Sequence, residues 1–119
     1  MEQKPWGYHL RIDLIECNRN KITNKKPITD YLKEVLKVID MKPYGEPQIK
    51  RFGENDIEGI SFFQFIMTSC IMGHCREDNG HSDLYIDLFS CKEFNVEKAI
   101  IFTQGFFKAK KLDFDFKTR

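Results

Sequence analysis

Residues 59–91 read GISFFQFIMTSCIMGHCREDNGHSDLYIDLFSC, and the choice of fold turns on this stretch. From Asp83 to Ser90 the parity is clean, with Leu84, Ile86 and Leu88 on one side and Tyr85, Asp87 and Phe89 on the other. A period of two is the mark of a strand with one face against a core. Glu58 to Met67 instead carries Ile60, Phe62, Phe63, Phe65 and Ile66 on both parities. That pattern predicts a strand covered on both faces. Glu77 to Ser82 is a polar turn around Asn79-Gly80.

Upstream, Gly7 to Ile15 reads as a strand, with His9, Arg11 and Asp13 opposite Leu10, Ile12 and Leu14. Asn18 to Lys26 is polar and reads as a loop. Pro27 suits a helix first turn. Beyond it Ile28, Tyr31, Leu32, Val35, Leu36 and Ile39 recur at helical spacing and form one apolar stripe. Pro43-Tyr44-Gly45-Glu46-Pro47 breaks the chain, and Phe52 to Asp56 reads as a loop. Downstream, Asn95 is placed to cap a second helix carrying Val96, Ala99, Ile100 and Thr103. Leu112, Phe114 and Phe116 alternate in a last strand. Strand, helix, several strands, helix, strand is the order of an α+β two-layer sandwich: a mostly antiparallel sheet with two helices on one face. The doubly apolar strand predicts that a second protomer covers the other face.

The chain of 119 residues fits one domain spanning 1–119, with no internal repeat or linker. Nineteen Lys+Arg against eighteen Asp+Glu leave a net charge of +1, which argues against nucleic acid as a partner. Lys25-Lys26 and Lys108-Lys110-Lys111 read as solvated surface. No apolar run reaches the roughly 18 residues of a membrane span. Met1 to Trp6 lacks the apolar segment of a secretory signal, so the expected address is the cytoplasm. Thiols stay reduced there, and Cys17, Cys70, Cys75 and Cys91 are expected free. Cys70, His74, Cys75, His81 and Cys91 are soft enough donors for zinc, yet no Cys-x-x-Cys pair is present. No metal is expected.

Ser61, Ser69, His74 and Cys91, in that order, make up the chemical set of the stretch. Together with Gly7-Tyr8-His9-Leu10, Cys17 after the first strand, and Gly59-Ile60-Ser61, they make the chain resemble the prokaryotic S-adenosylmethionine decarboxylases. The likeness extends through Ile86-Asp87-Leu88-Phe89-Ser90-Cys91 and the helix-strand tail, nearly the full length. It implies a pyruvoyl-dependent proenzyme that cleaves itself between Thr68 and Ser69 into a β chain, 1–68, and an α chain, 69–119. By that resemblance Ser69 becomes the pyruvoyl group that binds the substrate amine as a Schiff base. Ser61 assists the acyl shift, His74 is the processing base, and Cys91 returns a proton to the substrate. A thiol is acid enough to do so near neutral pH. A ketone meets the need of decarboxylation for an electron sink, which ordinary side chains lack. The implied substrate is S-adenosylmethionine, for polyamine (spermidine) synthesis, in a homodimer.

Thr68 stands where that family has a glutamate thought to contact the ribose, and Arg76-Glu77-Asp78 stand where it has Trp-Pro-Glu. The self-cleaving parts match more closely than the substrate-reading parts. A basic amino acid such as arginine or ornithine is therefore the alternative substrate, and an uncleaved binding or regulatory module is the alternative to an enzyme. Candidate substrate contacts are the rings of Phe52, Phe62 and Phe63, with Glu58 or Arg76 for polar recognition. Five residues separate Ser69 from His74, so an unbroken strand points them to opposite faces. Gly73 is the expected site of a bulge that re-aims His74. Ser61 can serve Ser69 only if the chain folds back between them.

Overall fold

The computed structural model describes residues 4–119; Met1–Gln3, part of the segment read for a leader, lie outside the described residues. The strands are β1 (Tyr8–Ile15), β2 (Gln48–Phe52), β3 (Gly59–Ile66), β4 (Ser69–Arg76), β5 (Asp83–Ser90) and β6 (Lys111–Thr118). They form one antiparallel sheet in the order β2-β3-β4-β5-β1-β6. The helices are α1 (Arg19–Ile22), α2 (Lys25–Val38) and α3 (Val96–Phe107). The α+β sandwich read from the sequence is the fold observed. No helix among the described residues is long and apolar enough to cross a membrane.

Parity decides what each strand buries. Leu10, Ile12 and Leu14 of β1 meet Leu88, Ile86 and Leu84 of β5 across the ladder, all buried beneath the helices. The α2 stripe of Ile28, Tyr31, Leu32, Val35 and Leu36 closes over them, joined by Ala99, Ile100, Thr103 and Phe107 of α3. Burial of such side chains stabilises by about 1.5–3 kcal/mol each. The Tyr31 hydroxyl lies 2.8 Å from Thr103 Oγ1 and gives both buried hydroxyls a partner. Asn95 Oδ1 accepts the Lys98 N–H at 3.0 Å, the expected helix cap.

Two local expectations are corrected. Asn18–Lys26 is not all loop: it holds the single turn of α1, and α2 starts at Lys25. Pro27 still falls in the first turn, where its missing N–H removes no helix bond. Phe52 is not in a loop but ends β2, an edge strand whose mostly exposed side chains leave no alternation to read. Within one chain the helices cover one face of β3, and the face that the sequence reading assigns to a second protomer is open. Phe62 and Ile66 turn to the helices, while Phe63 and Phe65 lie on the open face, Phe65 at 53% exposure.

Candidate active site

Met67–Thr68 joins β3 to β4 as a two-residue hairpin closed by the Ile66–Ser69 pair. Such hairpins favour turns with positive φ. Neither Met67 nor Thr68 has it, and hydrogen bonds from outside the hairpin hold the turn instead. Met67 N–H donates to the Lys42 carbonyl at 2.9 Å, and Tyr44 N–H to that of Phe65 at 2.9 Å. Cys91 N–H donates to the Thr68 carbonyl at 3.0 Å. The Thr68 hydroxyl donates to Met41 Sδ at 3.2 Å and accepts from Ser90 Oγ at 2.8 Å. Ser69 is half-buried and pairs with Ser90, while Cys91 is exposed. The strand-end thiol residue thus lies directly across from the 68–69 peptide link.

His74 does not. β4 pairs without interruption from Ser69 to Arg76, so no bulge exists at Gly73 and the expected re-aiming of the imidazole is absent. Gly73 has a different duty: a Cβ there would collide with Cζ of Phe62, whose buried ring lies over it. Five residues of strand leave His74 roughly 16 Å from Ser69, on the other face. The chain does fold back between Ser61 and Ser69, as required. The fold-back, however, sets Ser61 opposite His74, with Ser61 Oγ 2.8 Å from Nδ1. The four residues therefore form two groups within one chain, Ser69 with Cys91 at the hairpin and Ser61 with His74 at the far end of β4.

The Ser61–His74 pair lies in a row across the open face, Lys50, Ser61, His74 and Tyr85 on β2 to β5. One side of it is a cavity of about 210 Å³ lined by Phe52, Phe63, Met72, Gln48 and Lys50. The other side is one of about 250 Å³ lined by Glu58, Arg76, Asp78 and Tyr85. Phe52, Phe63, Glu58 and Arg76 are thus beside the pair. Phe62 borders the first cavity as well, though its ring is only 3% exposed and packs into the core, because its parity is that of Ile60 and Ile66. Arg76 is occupied by Asp78, with Nε 2.8 Å from Oδ1, which raises the guanidinium and lowers the carboxyl from their usual ranges.

Sequence reasoning missed Lys50, which belongs to the unread edge strand, and Ser90. The signal for Ser90 is visible in retrospect: it follows Leu84, Ile86 and Leu88 on the buried parity, where a hydroxyl needs a partner. Cys17 and Cys75, both buried, are pushed up to about 12 chiefly by loss of water around the thiol. Burial also raises Cys70, less strongly. On the open face His9 Nε2 lies 3.0 Å from Asp87 Oδ1, and Arg11 binds Asp13 and Asp113.

Comparison with known proteins bears on the fold and the family. The chain is 29% identical over 108 residues to S-adenosylmethionine decarboxylase proenzymes of Clostridium botulinum strains Hall and Okra, covering 90% of this chain and 88% of each relative. The crystal structure of the adenosylmethionine decarboxylase from Aquifex aeolicus superposes with a TM-score of 0.79 at 18% identity, covering 98% of this chain and 92% of that one. At that identity the likeness speaks for the fold. The family model for S-adenosylmethionine decarboxylase matches residues 8–119, and the chain belongs to that family.

Proposed function

We propose that the chain is a self-processing decarboxylase of S-adenosylmethionine in spermidine synthesis, and that its electrophile is made from Ser69. The carrying observation is the Cys91 N–H on the Thr68 carbonyl at 3.0 Å. A donor already on that oxygen stabilises the negative charge that builds there when Ser69 Oγ attacks the carbonyl carbon. The Oγ–C bond forms, the C–N bond breaks, and the hydroxyl proton ends on the freed amine, leaving an ester. A base then takes the Cα proton of residue 69, the Cβ–Oγ bond breaks, and Thr68 departs as a carboxylate. Water converts the remaining enamine to the pyruvoyl group with loss of ammonia. The residues at the link suit such a group, since Ser69 is half-buried on a tethered turn with an exposed thiol opposite. Once formed, the ketone supplies an electron sink for the pair released as CO2 leaves. Cys91 then returns a proton to the substrate carbon.

The assigned base is His74, held by Ser61, and it belongs to a second copy. A two-fold axis lying across the strands between the two groups reverses the strand direction, so open faces packed together bring each copy's Ser61–His74 pair over the other's hairpin. Apolar side chains left out on that chain support the packing: Phe52 is 59% exposed, Phe65 53% and Met67 65%. In the same arrangement the Phe52 and Phe63 rings beside His74 offer walls for a flat purine. That favours S-adenosylmethionine over free arginine or ornithine.

Intact mass under denaturing conditions tests the reading. The purified protein is expected as fragments 1–68 and 69–119, Ser69→Ala as one uncut chain, and CO2 release is expected from S-adenosylmethionine and not from arginine or ornithine. A purified wild type that stays whole and turns over nothing would end the proposal.

A further inference from the structure

We propose that Ser90 is a positioning residue for self-processing, acting through the Thr68 hydroxyl; this rests on the reading that the 68–69 link is the one that breaks. Ser90 is wholly buried. Its Oγ accepts Lys92 N–H at 2.9 Å, and its proton is shared between Thr68 Oγ1 and the Lys92 carbonyl, both 2.8 Å away. Thr68 Oγ1 in turn donates to Met41 Sδ at 3.2 Å. The side chain of the residue whose carbonyl is attacked is therefore fastened inward, beneath the sheet.

The fastening matters because of the turn. A hairpin with Asn-Gly in positive-φ geometry would fix its own peptide planes. Met67–Thr68 lacks that geometry, so the plane of the 68–69 peptide depends on what holds Thr68. Two contacts from neighbouring residues of one strand end do so, the Ser90 hydroxyl on the side chain and the Cys91 amide on the carbonyl. Freed at the side chain, Thr68 can rotate its carbonyl off the Cys91 donor and out of line with Ser69 Oγ. A misplacement of that kind costs rate in the acyl shift and leaves the elimination step alone.

Four variants, Ser90→Ala, Ser90→Thr, Thr68→Val and the double Ser90→Ala/Thr68→Val, decide the matter, with cleavage timed by intact mass and folding checked by thermal melting. Ser90→Ala and Thr68→Val are each expected to slow cleavage about tenfold, the rate equivalent of one net hydrogen bond. Ser90→Thr is expected to restore it, and the double variant to be no slower than Thr68→Val. Hydroxylamine, which cuts the ester once formed, is expected to leave Ser90→Ala slow. Ser90→Ala cleaving within twofold of wild type, multiplying slowdowns in the double variant, or full rescue by hydroxylamine would each overturn the role. A wild type that never cleaves would remove the functional reading itself, and this inference with it.

Discussion

Ser61 Oγ and His74 Nδ1 sit 2.8 Å apart across β3 and β4, at the opposite end of β4 from Ser69. Strand geometry makes that separation rigid, because a paired eight-residue strand cannot fold its two ends together. The two groups can act jointly only between copies. Co-expression of Ser69→Ala and His74→Ala chains carrying different tags tests this. Each variant alone is expected to stay whole, and in the mixture the His74→Ala chain is expected to be cut by the imidazole of its partner. A mixture that stays uncut beside a cleaving wild type would place the base elsewhere.

Cys91 carries two separable duties in this arrangement, a main-chain donor and a thiol. Cys91→Ala keeps the N–H, so self-cleavage is expected to persist while decarboxylation falls about 10²–10⁴-fold, the usual loss for a proton donor. Cys91→Pro removes the N–H and is expected to slow cleavage about 10²–10³-fold. Mass spectrometry and CO2 release, read on the same samples, separate the two effects. Loss of cleavage in Cys91→Ala would mean that the thiol itself serves processing.

β1, β5 and both long helices were legible in the sequence because burial enforces periodicity: Leu84, Ile86 and Leu88 have one face to fill. β3 was read from its apolar content alone, and β4 was not assigned. β2 was not, because an edge strand with exposed Gln48, Lys50 and Phe52 is specified by its ladder to β3 and not by its own pattern. The candidate site was legible as a set of residue types and not as a place. Parity already set Ser69 and His74 on opposite faces, yet Gly73 invited a bulge that the unbroken ladders of β4 exclude. A glycine beneath an aromatic ring and a glycine in a bulge look identical in sequence. Which strand lies alongside is information held by tertiary pairing.

Gly73 therefore gives a stability prediction with a built-in control. Any side chain there meets the Phe62 ring, which is only 3% exposed and has nowhere to retreat. Gly73→Ala is expected to cost about 1–3 kcal/mol by overpacking. Adding Phe62→Leu should recover part of that loss, so that the double variant is more stable than the sum of the two single changes implies. Urea unfolding of the four proteins measures the coupling. Simple additivity would show that ring and glycine do not meet.

The two buried thiols fix how stability responds to alkali. Cys17 and Cys75 are raised to about 12 by burial, while an unfolded thiol titrates near 9. Below pH 9 both states hold the proton and nothing changes. Between pH 9 and 12 the unfolded chain releases protons that the folded chain retains, so unfolding binds fewer protons and stability falls as pH rises. The slope is up to about 1.4 kcal/mol per pH unit for each thiol. Chemical denaturation from pH 8 to 11 is expected to show the decline, and Cys17→Ala/Cys75→Ala to flatten it. Alkylation by iodoacetamide at pH 8 gives an independent check: Cys91 is exposed and should react first, with Cys17 and Cys75 protected until the chain unfolds. Rapid alkylation of Cys75 in the folded protein would show that water reaches the helix side of β4, and its share of the alkaline slope would then vanish.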